Sequence, residues 1–250
     1  MRIIGRLDIK SQNLIKGINL EGLRVVGNPN KFALKYYNEG IDELIFMDVV
    51  ASLYKRDNLL EIIKSASKDI FIPITVGGGI RSIEDAYNLF RSGADKIAIN
   101  TAIVKNIKLM ADLSSTFGSQ SIVGSIEAKK KNSNSWEIYT NNGRESTNID
   151  LVDWVKKLED FGAGELLVTS IDKEGTREGF DIEMIKTVKN NTSLPVILSG
   201  GFGKLDDIKT LNQSTKVEAI AVADCIHFNR IKINEIRNQC IKCGIEIRKL

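Results

Sequence analysis

The chain states one pattern twice. Val76-Gly77-Gly78-Gly79-Ile80-Arg81-Ser82 is answered by Ser199-Gly200-Gly201-Phe202-Gly203-Lys204-Leu205, at an offset of 123 residues. Pro73 and Pro195 keep step at 122, as do Glu43-Leu44 and Glu165-Leu166; Asp8 in Arg6-Leu7-Asp8-Ile9-Lys10 pairs with Glu127 in Ser125-Ile126-Glu127-Ala128-Lys129 at 119. The 250 residues thus divide into two similar halves, and any fold must be built from two equivalent units.

Eight short β-branched-rich runs recur along the chain, at residues 3–7, 44–47, 72–76, 97–99, 122–126, 166–168, 196–198 and 219–222. They lack two-residue alternation, so both faces of each strand are buried, as in a parallel sheet covered by helices. Helical spacing fills the intervals 31–39, 59–67, 82–92, 106–116, 151–161, 181–190 and 205–212, with capping residues such as Ser82 and Asp181 at two of the starts. An α/β fold that alternates in this way, with a half-length repeat, closes as a (β/α)8 TIM barrel of two homologous half-barrels, one domain over residues 1–250. An open doubly wound sheet leaves the repeat unexplained. The longest breaks, residues 11–29 and 130–148, follow the strands that carry Asp8 and Glu127, on the face where barrel active sites form.

Composition removes several classes. Basic and acidic residues number 35 and 32, intermixed, so no basic stripe for nucleic acid is expected. No apolar stretch reaches the roughly 18 residues of a membrane span, Met1-Arg2-Ile3-Ile4 leads into a strand without a signal-peptide core, and a cytoplasmic protein is expected. Cys240-Ile241-Lys242-Cys243 has the spacing of half a zinc site but only His227 to join it, so Cys225, Cys240, Cys243 and His227 read as packing residues, with no metal or cofactor.

Asp8 and Glu127 end strands one and five, which stand opposite each other in an eight-stranded barrel. Two carboxylates facing across a mouth suit general acid and base work. Strand-end roles, capping a loop or pairing with Lys10 or Lys129, are the plainer alternative. The glycines Gly77-Gly78-Gly79, with Asn100-Thr101 nearby, and Gly200-Gly201 with Gly203 bare backbone N–H groups after strands, one anion site per half. Asp224 stands where the first half has Asn100; a carboxylate beside a phosphate needs a partner, and Lys204 is the nearest basic residue in sequence. At the opposite end Arg2, Glu43, Lys96 and Glu165 precede four strands, two of each sign, as a paired ring or a solvated rim.

Together with Arg2-Ile3-Ile4, Leu7-Asp8-Ile9-Lys10, Gly40-Ile41-Asp42-Glu43-Leu44, Gly93-Ala94-Asp95-Lys96, Asn100-Thr101, Phe117-Gly118-Ser119-Gln120 and Thr169-Ser170-Ile171-Asp172, these glycine runs resemble the cyclase (synthase) subunit of imidazole glycerol phosphate synthase, the HisF type. The resemblance covers essentially the whole chain. It implies a barrel that docks its N-terminal face on a HisH-like glutaminase as a heterodimer. Ammonia passing through the barrel then meets a bis-phosphorylated ribulosyl aminoimidazole carboxamide substrate, giving imidazole glycerol phosphate and AICAR in histidine biosynthesis, a lyase/cyclase reaction.

By that resemblance Asp8 and Glu127 are catalytic, and Lys16 lies in a mobile first loop over the substrate. Gly79, Asn100 and Thr101 hold one end of the substrate, and Thr169, Glu174, Gly175 and Ser199 approach it. Gly200, Gly201, Gly203, Ala223 and Asp224 belong to the second anion site. Arg2, Glu43, Lys96 and Glu165 match the ammonia gate, and Asp95 the glutaminase interface. The family has Asp in place of Glu127 and Glu174, Ser in place of Asp224, Ala in place of Phe202, and Asp-Gly in place of Ser11-Gln12. One extra methylene moves a carboxylate by about 1 Å, enough to cost on the order of 100-fold in a positioned reaction. Every gate position is kept. The alternative is a HisF-like paralogue that, with a HisH-like glutaminase, supplies ammonia to a sugar amidotransferase in surface-glycan biosynthesis, without cyclase activity.

Overall fold

The computed structural model describes residues 1–50 and 57–249. Strands are numbered along the chain. Eight of them run parallel in a closed ring, in the order β1 (Arg2–Lys10), β4 (Glu43–Asp48), β5 (Ile74–Gly77), β6 (Lys96–Ile99), β7 (Ile122–Asn132), β10 (Glu165–Ser170), β11 (Val196–Ser199) and β12 (Ala219–Val222). The ring closes where Arg2 pairs with Ala219 and Gly5 with Val222. All eight expected runs are these strands, and the fold is a (β/α)8 barrel.

The segments read as long breaks are antiparallel hairpins. β2 (Asn13–Ile18) and β3 (Glu21–Gly27) continue β1, with Asp8 opposite Ile15; β8 (Ser135–Thr140) and β9 (Glu145–Asp150) continue β7, with Glu127 opposite Tyr139. The physical reason is visible in β8, where Trp136, Ile138 and Thr140 are buried and alternate with partly exposed neighbours.

The helices are α1 (Pro29–Asn38), α2 (Asp57–Asp69), α3 (Ile83–Arg91), α4 (Thr101–Lys105), α5 (Lys108–Phe117), α6 (Leu151–Asp160), α7 (Ile182–Lys189), α8 (Asp206–Ser214), α9 (Asp224–His227) and α10 (Ile233–Lys242). Seven of these match the expected intervals; α4, α9 and α10 were not expected, two of them being too short to show a period. From β1 to α5 and again from β7 to α10, the order is hairpin-bearing strand, helix, strand, helix, strand, helix, strand, short helix, helix. Ser82 and Asp181 cap as read, accepting from the Asp85 and Met184 N–H groups; removing either cap costs about 1 kcal/mol.

Two apolar clusters hold the layers. The larger joins the outward faces of the strands to the helices, with Trp154, Tyr36 and Phe46 fully buried in it. The smaller fills the barrel interior and includes Ile4, Ile45, Val123, Leu167 and Ile197. Each fully buried Ile or Leu contributes roughly 2–3 kcal/mol. Cys240 and Cys225 lie in the larger cluster, all three cysteines are free, and His227 stacks on Tyr36 with its Nδ1 2.6 Å from the phenol oxygen. Burial pushes the imidazole down to about 3, so His227 is a neutral packing residue. No helix among the described residues is long and apolar enough to cross a membrane.

Candidate active site

Inward-facing positions of a strand recur every second residue. On β1 they are Arg2, Ile4, Arg6 and Asp8, a column from the barrel's N-terminal end to its mouth. At the foot of the column, Arg2 donates to Glu43 at 2.8 Å and to Glu165. Lys96 donates to Glu165 at 2.9 Å and lies 3.7 Å from Glu43. The four expected gate residues therefore form a closed ring of alternating charge rather than a loose rim. Burial would lower the Arg2 pKa, but hydrogen bonds and attraction from Glu165 and Glu43 raise it above its ordinary value. Above this ring sits the apolar interior cluster that contains Ile4.

Asp95, expected at the partner interface, is exposed just before Lys96 and binds the Ile74 N–H at 2.8 Å. The exposed Phe71 lies on the same face, in the segment entering β5.

At the mouth, Asp8 pairs with Arg6 at 2.9 Å and with Lys16 at 3.8 Å, not with Lys10. Burial alone would raise the Asp8 carboxyl; the Arg6 and Lys16 cations and the Arg6 hydrogen bond outweigh it and hold the group below the usual carboxylate range. Glu127 behaves oppositely. Burial pushes it up to about 7, against the N–H of Gly143, which donates to it at 2.8 Å, and with a contribution from the Asp8 charge. Two carboxyls in one mouth are thus driven in opposite directions, Asp8 down and Glu127 up.

The two anion sites differ in shape. The first opens into a cavity of about 560 Å3 lined by Gly78, Gly79, Asn100, Thr101 and Glu127, with Arg81, Lys105 and Arg144 around it. Gly78, at φ +101°, needs its missing side chain: a Cβ would lie 2.3 Å from the Asp48 carbonyl oxygen. Asn100 donates to the Tyr139 carbonyl at 3.0 Å, and its own Oδ1 is buried without a partner. Thr101 accepts from the Asn141 N–H at 3.1 Å.

The second is nearly filled, with about 20 Å3 left among Lys16, Glu174, Gly175, Ser199, Gly200 and their neighbours Ala223 and Asp224. Lys16 donates to Glu174 there. Gly201, also at positive φ, passes against the Gly179 carbonyl, and Gly203 against that of Arg177. Gly175 lies against the Gly17 carbonyl on β2, so it seats the β2–β3 hairpin on the mouth. Asp224 pairs with Arg177 at 3.6 Å and Arg230 at 3.4 Å, which corrects the expectation of Lys204. Phe202 turns into the core and stacks on Phe180 at 5.7 Å. Thr169 and Ser199 accept from Arg6 at 2.9 and 3.2 Å. Among the described residues no group of three or more His, Cys, Asp or Glu side chains is placed to hold a metal ion.

The model of a family described as "Histidine biosynthesis protein" matches residues 2–232. The chain belongs to the histidine biosynthesis protein family. Among its relatives in that family, the imidazole glycerol phosphate synthase subunit HisF of Legionella pneumophila is 61% identical over 207 residues, covering 83% of this chain and 98% of the relative. The HisF subunits of Sulfurisphaera tokodaii and Bacillus cereus (strain Q1) are 44% and 40% identical over 247 residues, covering 99% of this chain and 98% of each relative.

Within this HisF-type barrel, sequence reasoning missed Arg6, Arg144, Arg177, Arg230 and the Gly143 N–H. Arg6 carried a usable signal, since it occupies an inward position two residues before Asp8. The others reach the mouth from loops whose paths only the fold defines.

Proposed function

We propose that this single-domain barrel is the cyclase subunit of an imidazole glycerol phosphate synthase, receiving ammonia through its charged ring from a HisH-like glutaminase bound at the N-terminal face. The observation that carries the reading is the split pair at the mouth: Asp8 kept ionised beside Arg6 and Lys16, and Glu127 pushed up to about 7. A carboxyl titrating near neutrality can donate a proton and recover it, while a carboxylate held below its ordinary range can accept one and release it to water. Ammonia adding to a substrate carbonyl, followed by ring closure and cleavage, needs both operations in one site. The basic side chains Arg81, Lys105 and Arg144 around the larger cavity suit a terminal phosphate of the substrate.

A specific observation favours a second reading. Glu174 and Asp224 bring two carboxylates to the second anion site, where Lys16, Arg177 and Arg230 already neutralise them and little space is left. A chain with an intact gate and a filled second site suits a paralogue that delivers ammonia to a sugar amidotransferase without cyclising anything.

Purified chain supplied with an ammonium salt and the bis-phosphorylated substrate separates the readings. Turnover that is lost in Asp8→Asn and Glu127→Gln supports the cyclase. No turnover in the native chain, with activity appearing only when Glu127→Asp and Asp224→Ser are combined, supports the paralogue.

A further inference from the structure

Neither the ring at the foot of the barrel nor the expected substrate contacts account for Arg6. Its side chain is 2% exposed, inside the barrel between the apolar cluster and the mouth. The Nε–H donates to Asp8 Oδ1 at 2.9 Å, while Nη1 donates to Thr169 Oγ1 at 2.9 Å and Ser199 Oγ at 3.2 Å. These acceptors belong to β1, β10 and β11, so the guanidinium is pinned to three barrel strands and cannot follow a moving ligand. A buried cation requires a fixed counter-charge, because leaving it alone costs several kcal/mol. Asp8 is the carboxylate it bonds.

Lys16, the other cation near Asp8, is a less constant partner. It lies on the β2–β3 hairpin, 3.8 Å away, and its hydrogen bond goes to Glu174. Thr169 and Ser199 are affected too: hydroxyls that accept from Arg6 keep their own O–H free to donate elsewhere.

We propose that Arg6 is a positioning residue for the reaction described above: it orients Asp8 and keeps it a carboxylate at the start of each turnover, so that Asp8 takes a proton from the substrate and later releases it to water, while Glu127 gives one and is reprotonated from water. The proposal rests on reading Asp8 and Glu127 as the acid–base pair. The groups facing Asp8 are Arg6 on its own strand, Lys16 on β2, Glu127 on β7 and the neutral His227 on α9, with Glu174 and Asp224 acting through Lys16. Removing Arg6 takes away the attraction that opposes burial, so Asp8 protonates at higher pH and the acid side of the activity profile moves up.

The test is cyclase turnover against pH at constant free ammonia in the native chain, Arg6→Lys and Arg6→Met. Arg6→Met is expected to lower kcat by about tenfold or more, with KM changed less than about threefold, and to move the acid limb up by about one pH unit or more. Arg6→Lys, which keeps the charge, is expected to leave that limb in place. An unmoved acid limb in Arg6→Met, or an effect on KM alone, overturns the proposal. Full turnover in Asp8→Asn overturns the acid–base reading itself; loss of turnover there with Arg6→Met unchanged overturns only the role of Arg6. A carbon-13 titration of the Asp8 carboxyl in Lys16→Met needs neither turnover nor a folded Arg6→Met. With Arg6 as its remaining cationic partner, Asp8 should titrate below the ordinary carboxylate range, and a midpoint at or above that range overturns the proposal.

Discussion

Asp42 and Ile3 exchange two hydrogen bonds: the Asp42 N–H donates to the Ile3 carbonyl at 3.0 Å, and the Ile3 N–H donates to the Asp42 carboxylate at 2.8 Å. Asp95 and Ile74 repeat the exchange, at 2.8 Å in both directions. Each aspartate stands one residue before a ring side chain, Glu43 or Lys96, so a carboxylate fixes the backbone that carries the ring.

Arg237 and Arg248 bond the second Asp42 oxygen at 2.9 and 3.2 Å, which ties the C-terminal segment into the same brace. Asp42→Asn leaves the buried Arg237 without its counter-charge. It is expected to cost on the order of 3 kcal/mol, read as a lower urea midpoint, and to expose the C-terminal segment to proteolysis. A loss well under 1 kcal/mol would show that the brace is ornamental.

Glu127 makes stability depend on pH in a defined direction. Its ordinary value is 4.5 and its folded value about 7, so between these the folded chain holds a proton that the unfolded chain has released. Stability therefore falls as pH rises through that window, by on the order of 3 kcal/mol. Glu127→Gln removes the term, and its stability relative to the native chain should grow from about pH 4 to about pH 8. Parallel denaturation curves at the two ends of the window check this.

Gly78 and Gly22 both have positive φ, but a Cβ on Gly78 meets the Asp48 carbonyl, whereas on Gly22 it meets nothing within 4 Å. Gly22→Ala should cost about 1 kcal/mol. Gly78→Ala should cost more, and should also abolish any thermal stabilisation by inorganic phosphate. Equal effects from the two would remove the first anion site from the argument.

Lys96→Ala breaks the charged ring and leaves Arg2 to serve both Glu43 and Glu165. In a complex with the glutaminase, the ratio of glutamine hydrolysed to product formed should rise, while turnover on external ammonium stays within about twofold. An unchanged ratio would disconnect the ring from ammonia passage.

The barrel was legible because its strands are continuous apolar runs and its halves repeat. The hairpins were not, since 130–148 is rich in Lys, Asn and Ser; yet Trp136, Ile138 and Thr140 carry a two-residue period that composition obscured. The ring residues were legible as charges placed just before strands. Arg177 and Arg230 were not, because they come to Asp224 from loops on either side of it in the chain, and only packing decides that they win over Lys204.

One strand carries Arg2, Ile4, Arg6 and Asp8 in succession, about 20 Å from end to end at about 3.3 Å per residue. Ring, apolar filling, guanidinium and carboxylate are therefore geared to a single register. A one-residue slip of the whole of β1 against β4 and β12 would turn all four outward together and bring Ile3, Gly5, Leu7 and Ile9 inward. The foot and the mouth of the barrel therefore keep one phase along this strand, and its inward side chains can change one at a time only by substitution in place.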